Sequence, residues 1–227
     1  MLKTRKQKMM ERIHAYFMKN FKVDINEAHI IEYTFDDPAI RGEFVPERLE
    51  VRVADLMEEL TIVHELTHYC QLIKNASLCI AEKIKDIKKF SEDEFENEKA
   101  AFEKYKEEVG ADYEKAFNES DDDFEKMCIQ SEYNELMGNY MYELYSDRAV
   151  EIDARISMCA YYFEQHGCLS AELIDILFCA GYSDRIIAAI KNTRHPVKAE
   201  LLKFLDEEFG DKEPIEITDE FIWEEIL

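Results

Sequence analysis

The chain reads as an α+β protein, predominantly helical, with a small N-terminal antiparallel or mixed sheet, a buried central helix and a helical C-terminal part. Three observations predict this. Short strand-like runs are confined to residues 29–53. After residue 56 the apolar residues recur at helical intervals. One helical stretch, Leu60 to Ile73, is apolar on nearly all sides, as a helix enclosed by a core must be. At 227 residues the chain can bury one sizeable core, so a single domain over 1–227 is expected, with 82–126 as an acidic helical insertion within it.

Lys3 to Phe21 has helical periodicity, with Met10, Ile13, Phe17 and Phe21 along one side, and should pack on the core. His29 to Phe35, Gly42 to Val45 and Leu49 to Val53 read as strands separated by Asp36-Asp37-Pro38 and by a turn at Pro46. An exposed edge strand here would offer backbone hydrogen bonds to an extended peptide. A helix over about 56–74 follows, opened in the manner of a capping box by Asp55-Leu56-Met57-Glu58 and closed at Asn75. Residues 82–126 hold 17 acidic and 9 basic side chains, yet Phe95, Phe102, Tyr105, Val109, Tyr113 and Phe117 keep helical spacing. One or two solvated amphipathic helices are expected, interrupted near Gly110 or within 118–123. The next helix should run from about Cys128 to Gln165, with Gly138 as its point of fracture. Short core helices follow around 173–178 and 186–190. Residues 215–227, which carry the only Trp among five acids, are expected to dock on the core or to enter a cleft.

Composition excludes several classes. Hydrophobic content of 47% is incompatible with general disorder despite a net charge of −23. That charge repels a phosphate backbone, which argues against nucleic-acid binding. No apolar run approaches the roughly 18 residues of a membrane span, and the basic start is not followed by a signal-peptide core, so a cytoplasmic protein is expected. Six cysteines at 70, 79, 128, 159, 168 and 179 form no Cys-x-x-Cys pair and read as reduced, mostly core, residues.

Within Leu60 to Ile73 the only groups ionisable at neutral pH are His64, Glu65 and His68. Burying two imidazoles and a carboxylate is costly unless something compensates them, and a cation does so economically. The pattern is His-Glu-x-x-His, a zinc-peptidase signature. Helix geometry places His64 and His68 one above the other, offset by roughly 40°, so both imidazoles can share one ion. Glu65 lies about 100° from His64 and about 60° from His68, on the flank of that face. There it suits a base that grips a water on the ion. A catalytic Zn²⁺ needs three protein ligands and an open position, and it brings a water's pKa to about 7. The third ligand is sought on the helix after Cys128. Glu151 shares a side with Tyr140, Leu144, Asp147, Ala154, Met158 and Tyr162, a stripe able to pack on another helix; Asp147 and Asp153 stay open as alternatives.

On these residues the chain resembles the gluzincin-type zinc metallopeptidases, in particular small bacterial and phage-associated members. The resemblance rests on His64-Glu65-Leu66-Thr67-His68, on the preceding strand Leu49 to Val53 and on Glu151-Ile152-Asp153-Ala154-Arg155, and it covers about half the chain. It implies a zincin-like domain that holds Zn²⁺ through His64, His68 and Glu151, with Glu65 as general base and a protein or peptide as substrate. Two features depart from the family pattern. Arg155 stands where many members carry an Asp that supports a zinc-binding histidine, and 82 residues separate His68 from Glu151. Tyr140, Tyr162, His166 and His195 are candidates for the donor that stabilises the oxyanion. Two other classes are compatible with the same residues. Glu65-x-x-His68 together with Glu11-x-x-His14 matches the ligand pairs of di-iron helical bundles. An acidic interaction protein with a non-catalytic metal site is the third.

Overall fold

The computed structural model of the chain describes residues 4–80, 84–179 and 181–210. It is predominantly helical α+β, as expected, and the sheet takes the mixed form. Helix α1 (Arg5–Asn20) is opened by a capping box in which Thr4 and Gln7 satisfy each other's backbone N–H groups. It buries Met9, Ile13, Tyr16 and Phe17, so the core stripe is wider than the periodicity alone implied. Strands β1 (His29–Glu32), β2 (Gly42–Val45) and β3 (Glu50–Val53) follow. β3 is central, parallel to β1 on one side and antiparallel to β2 on the other. Its Val51 and Val53 are fully buried, while Arg52 on the opposite face pairs with Glu43 and Glu50 and lies over the Tyr33 ring.

Helix α2 (Glu59–Lys74) begins three residues later than the sequence suggested. The Asp55 carboxylate accepts from Met57 N at 2.7 Å, forming a turn ahead of the helix instead of capping it. The other end falls at Asn75, in the left-handed conformation (φ 52°). The Asn75 side chain also ties this end to the next helix, accepting from Ile87 N and donating to Lys85 O.

Helices α3 (Ile87–Glu119) and α4 (Asp123–Ser146) form a long hairpin, closed at residues 120–122 by the Asp122 cap. α3 runs through Gly110 without a break. The aromatic spacing forms the seam of the hairpin, where Tyr105 stacks on Tyr140 and Tyr113 on Tyr133, with ring centroids 3.9 Å and 4.4 Å apart. The expected helix over 128–165 is two helices, and Gly138 does not divide them. The break is at Asp147 and Arg148, before α5 (Ala149–His166). Its cause is tertiary: the Asp147 carboxylate is held by Ser183 and Arg185, while Arg155 takes the carbonyl of Ser146, at the end of α4.

Every residue of α5 from Ala149 to Tyr161 is buried, and α2 is its main packing partner. α6 (Ala171–Leu177), α7 (Asp184–Asn192) and α8 (Val197–Phe209) complete the core around α5, while α1 packs on α2. All six cysteines are free thiols; Cys70, Cys79 and Cys159 are buried, whereas Cys168 and Cys179 are exposed. No helix among the described residues is long and apolar enough to cross a membrane. Residues 215–227 lie outside the described residues.

Candidate metal centre

The packing of α2 on α5 brings His64, His68 and Glu151 together. The two imidazole Nε2 atoms are 3.2 Å apart. Glu151 Oε2 lies 3.3 Å from His64 Nε2, and Oε1 lies 3.3 Å from His68 Nε2. Two atoms bound at 2.0–2.1 Å to a tetrahedral ion stand about 3.3 Å from each other, so the donor types and spacings fit Zn²⁺. Among the described residues this is the only group of three or more such side chains whose ligand atoms come this close. The other Glu-x-x-His pair does not join it: His14 on α1 bonds Asp24 at 3.1 Å.

The two alternatives to Glu151 are engaged elsewhere. Asp147 takes Ser183 and Arg185. Asp153 is fully buried and accepts from Leu78 N, Cys79 N and Gln71 Nε2. Through Gln71 it still serves the centre. Gln71 Nε2 donates to Asp153 Oδ2 at 2.8 Å and to Val150 O at 3.0 Å, which leaves Gln71 Oε1 to accept from His68 Nδ1 at 2.9 Å. This network holds a proton on His68 Nδ1 and directs Nε2 toward Glu151, so that Nε2 is the nitrogen an ion could take in place of the proton it shares with Glu151. Gln71 and Asp153 thus do the supporting work that the position of Arg155 put in doubt. Arg155 itself donates to backbone and thiol, through Nε to Glu151 O and through its outer nitrogens to Ser146 O, Leu177 O and Cys179 Sγ.

Glu65 is 7% exposed and stands beside the ligand group without entering it. Gly42 of β2 makes room for it, since a β-carbon at residue 42 would lie 2.7 Å from Glu65 Oε1 and 2.7 Å from Thr61 Cγ2. Burial raises the Glu65 pKa, partly opposed by the charges of His64 and His68. Burial acts on Glu151 in the same sense, but His68 and His64 outweigh it and hold that carboxyl well below the usual range. Burial lowers the His68 pKa, yet attraction to Glu151 and the hydrogen bond to it prevail and lift it to about 9. One buried carboxylate is therefore committed to the imidazoles, and its neighbour is made more basic.

Tyr145, at the end of α4, also belongs to the site. Burial, followed by interaction with Glu151, pushes its hydroxyl pKa up, so it remains a donor. The four residues considered for that task lie elsewhere. Tyr140 is stacked in the hairpin seam, and both ring nitrogens of His195 are used by Glu164 and Val197 N. Tyr162 and His166 stack on each other, with Tyr162 about 16 Å along the helix axis from Glu151. Sequence spacing hides Tyr145, since on one unbroken helix it would lie about 240° around the axis from Glu151. Only the break at Asp147 and Arg148 brings the two together.

Among the described residues β2 is an outer strand of the sheet, paired on one side only, and it packs on α2 with Gly42 against Glu65. Comparison with protein-family models, with curated proteins and with solved structures finds no match for this chain.

Proposed function

We propose that the protein is a zinc-dependent metallopeptidase of the gluzincin type, in which His64, His68 and Glu151 hold one Zn²⁺ and Glu65 is the general base. The observation that carries this reading is the meeting of three ligand-type side chains from two helices at the spacing of a tetrahedral ion, with a second buried carboxylate, Glu65, on their flank. The ion would supply Lewis acidity at the substrate carbonyl and lower the pKa of a bound water to about 7.

The chain's own groups account for the remaining needs. Glu65, with its basicity raised by burial, takes the proton of the attacking water and passes it to the leaving amine. Tyr145 keeps its proton and donates to the oxygen on which charge develops. Gln71 and Asp153 hold His68 in its ligand tautomer. The free edge of β2 can align an extended peptide by backbone hydrogen bonds, which favours a protein or peptide substrate over a small ester or amide. A cytoplasmic setting suits a chain with six free thiols.

Metal analysis and cleavage of a broad peptide library by wild type and Glu65→Gln test this reading together. One zinc per chain in both, with cleavage by the variant reduced about 10²–10⁴-fold, is the expected result. Equal cleavage by the two proteins would sink the mechanism, and two irons per chain would replace it with di-iron chemistry.

A further inference from the structure

A cavity of about 550 Å³ opens between α3 and α4, within the roughly 300–1,000 Å³ typical of ligand pockets. Its walls are Phe95 and Phe102 from α3 and Met141, Leu144 and Tyr145 from α4. Phe95 and Met141 are 50% and 47% exposed. Here exposed apolar side chains from two helices line one cavity, and contiguous exposed apolar patches mark binding sites.

The charges at the cavity are largely matched. Arg148 Nε binds both oxygens of Glu98, at 2.9 Å and 2.7 Å, and Arg148 Nη2 lies 2.5 Å from Oε2. The same guanidinium lies over the Phe95 and Tyr145 rings. With this pair self-neutralised, only the exposed Lys99 adds a charge to the lining. An apolar group can enter without stranding a buried ion, whereas a carboxylate or ammonium would find Glu98 and Arg148 already engaged.

The cavity adjoins the candidate metal centre through residues that line the one and interact with the other. Tyr145 and Glu98 line it and interact with Glu151, and Arg148, also in the lining, stands at the N-terminal boundary of α5, three residues before Glu151. A peptide with one carbonyl at the centre therefore has a neighbouring side chain within reach of the cavity. We infer that the α3–α4 pocket receives a large apolar side chain, aromatic or branched aliphatic, from a residue flanking the scissile bond, and that the hairpin thereby sets cleavage specificity. This inference rests on the peptidase reading.

The test uses the zinc-loaded full chain and seven-residue peptides Ala-Ala-Ala-X-Ala-Ala-Ala with X as Phe, Leu, Ala or Asp, the cut sites being read by mass spectrometry. Cleavage beside Phe or Leu is expected to exceed that beside Ala by about 10–100-fold in kcat/KM, with Asp poorest. Met141→Trp, which fills the cavity, should bring the Phe-to-Ala ratio to within about twofold, and Phe102→Ala, which widens it, should move the preference from Leu toward Phe. Phe124→Ala, on the same helix but outside the cavity, should keep the wild-type ratio. Zinc content and an unfolding curve identify a variant that failed to fold, and Phe102→Ala then decides alone. Cleavage by wild type without preference for X, or a preference unchanged in the folded cavity variants, overturns the pocket assignment and leaves the peptidase reading standing. Absence of cleavage in every peptide overturns both.

Discussion

His68 depends on where one proton sits. Its Nδ1–H is directed to Gln71 Oε1 because both donors of the Gln71 amide are taken by Val150 O and Asp153. Nε2 is thereby left as the nitrogen that can exchange its proton for an ion beside Glu151, and an imidazole held in this way is a better ligand than one free to rotate or switch tautomer. Gln71→Leu keeps the bulk and removes both functions. Zinc affinity, measured by competition with a chelating dye, should fall about 10–100-fold. The same change takes one partner from the fully buried Asp153, so denaturant unfolding of the metal-free protein should show a loss of about 1–3 kcal/mol. Unchanged affinity would mean that His68 is oriented by its packing alone.

Among the secondary elements, β2 and α2 constrain each other through Gly42. Glu65 occupies the space that any side chain at residue 42 would need, with Oε1 2.7 Å from the position of a β-carbon there. Residue 42 cannot carry a β-carbon unless the strand retreats or Glu65 turns aside, and either shift moves Glu65, the proposed base, relative to His64, His68 and Glu151. Gly42→Ala should therefore lower peptide hydrolysis about 100-fold, since displacement of a catalytic group by about 1 Å has that order of effect. Zinc content should stay at the wild-type level, because the atoms nearest to a β-carbon at residue 42 belong to Glu65 and Thr61. Loss of zinc along with activity would show that β2 also positions the ligands. The junction of α4 and α5 is the second such coupling: its break places Tyr145 beside Glu151, and Ser183 and Arg185 from α7 hold it open.

Across the whole molecule, what the sequence made legible divides by the range of the contacts that decide it. His64, Glu65 and His68 follow from one helical period, so their relative placement could be read directly. Glu151 could be preferred among three acids, but Asp147 and Asp153 could not be set aside, because what engages them lies far off in the chain, Ser183 and Arg185 for Asp147 and Gln71, Leu78 and Cys79 for Asp153. Tyr145 and the pairing order of the strands were hidden for the same reason. The hairpin could be read as helical and acidic, but not how it is anchored, and that anchor predicts a pH dependence. Glu94 of α3 is 1% exposed, accepts from Ala149 N and faces Glu98, Arg148 and Arg185 from α3, the start of α5 and α7. Burial raises its pKa from 4.5 to about 7 against the opposing pull of Ala149 N and the arginines. Between those values the folded protein holds a proton that the unfolded chain has released, so this group's contribution is greatest below about pH 4.5, declines as pH rises, and levels off above about pH 7. The decline amounts to about 3 kcal/mol at most, from 1.36 kcal/mol per unit. Glu94→Gln keeps an acceptor for Ala149 N and removes the titration. Denaturant unfolding of both proteins at pH 5, 6, 7 and 8 should show the variant gaining on wild type as pH rises to 7, then no further change. Subtracting the two profiles cancels the histidines and every other group they share, so a difference that stays flat across this range would mean that Glu94 is already ionised at pH 5, its charge balanced by Arg185 and Arg148.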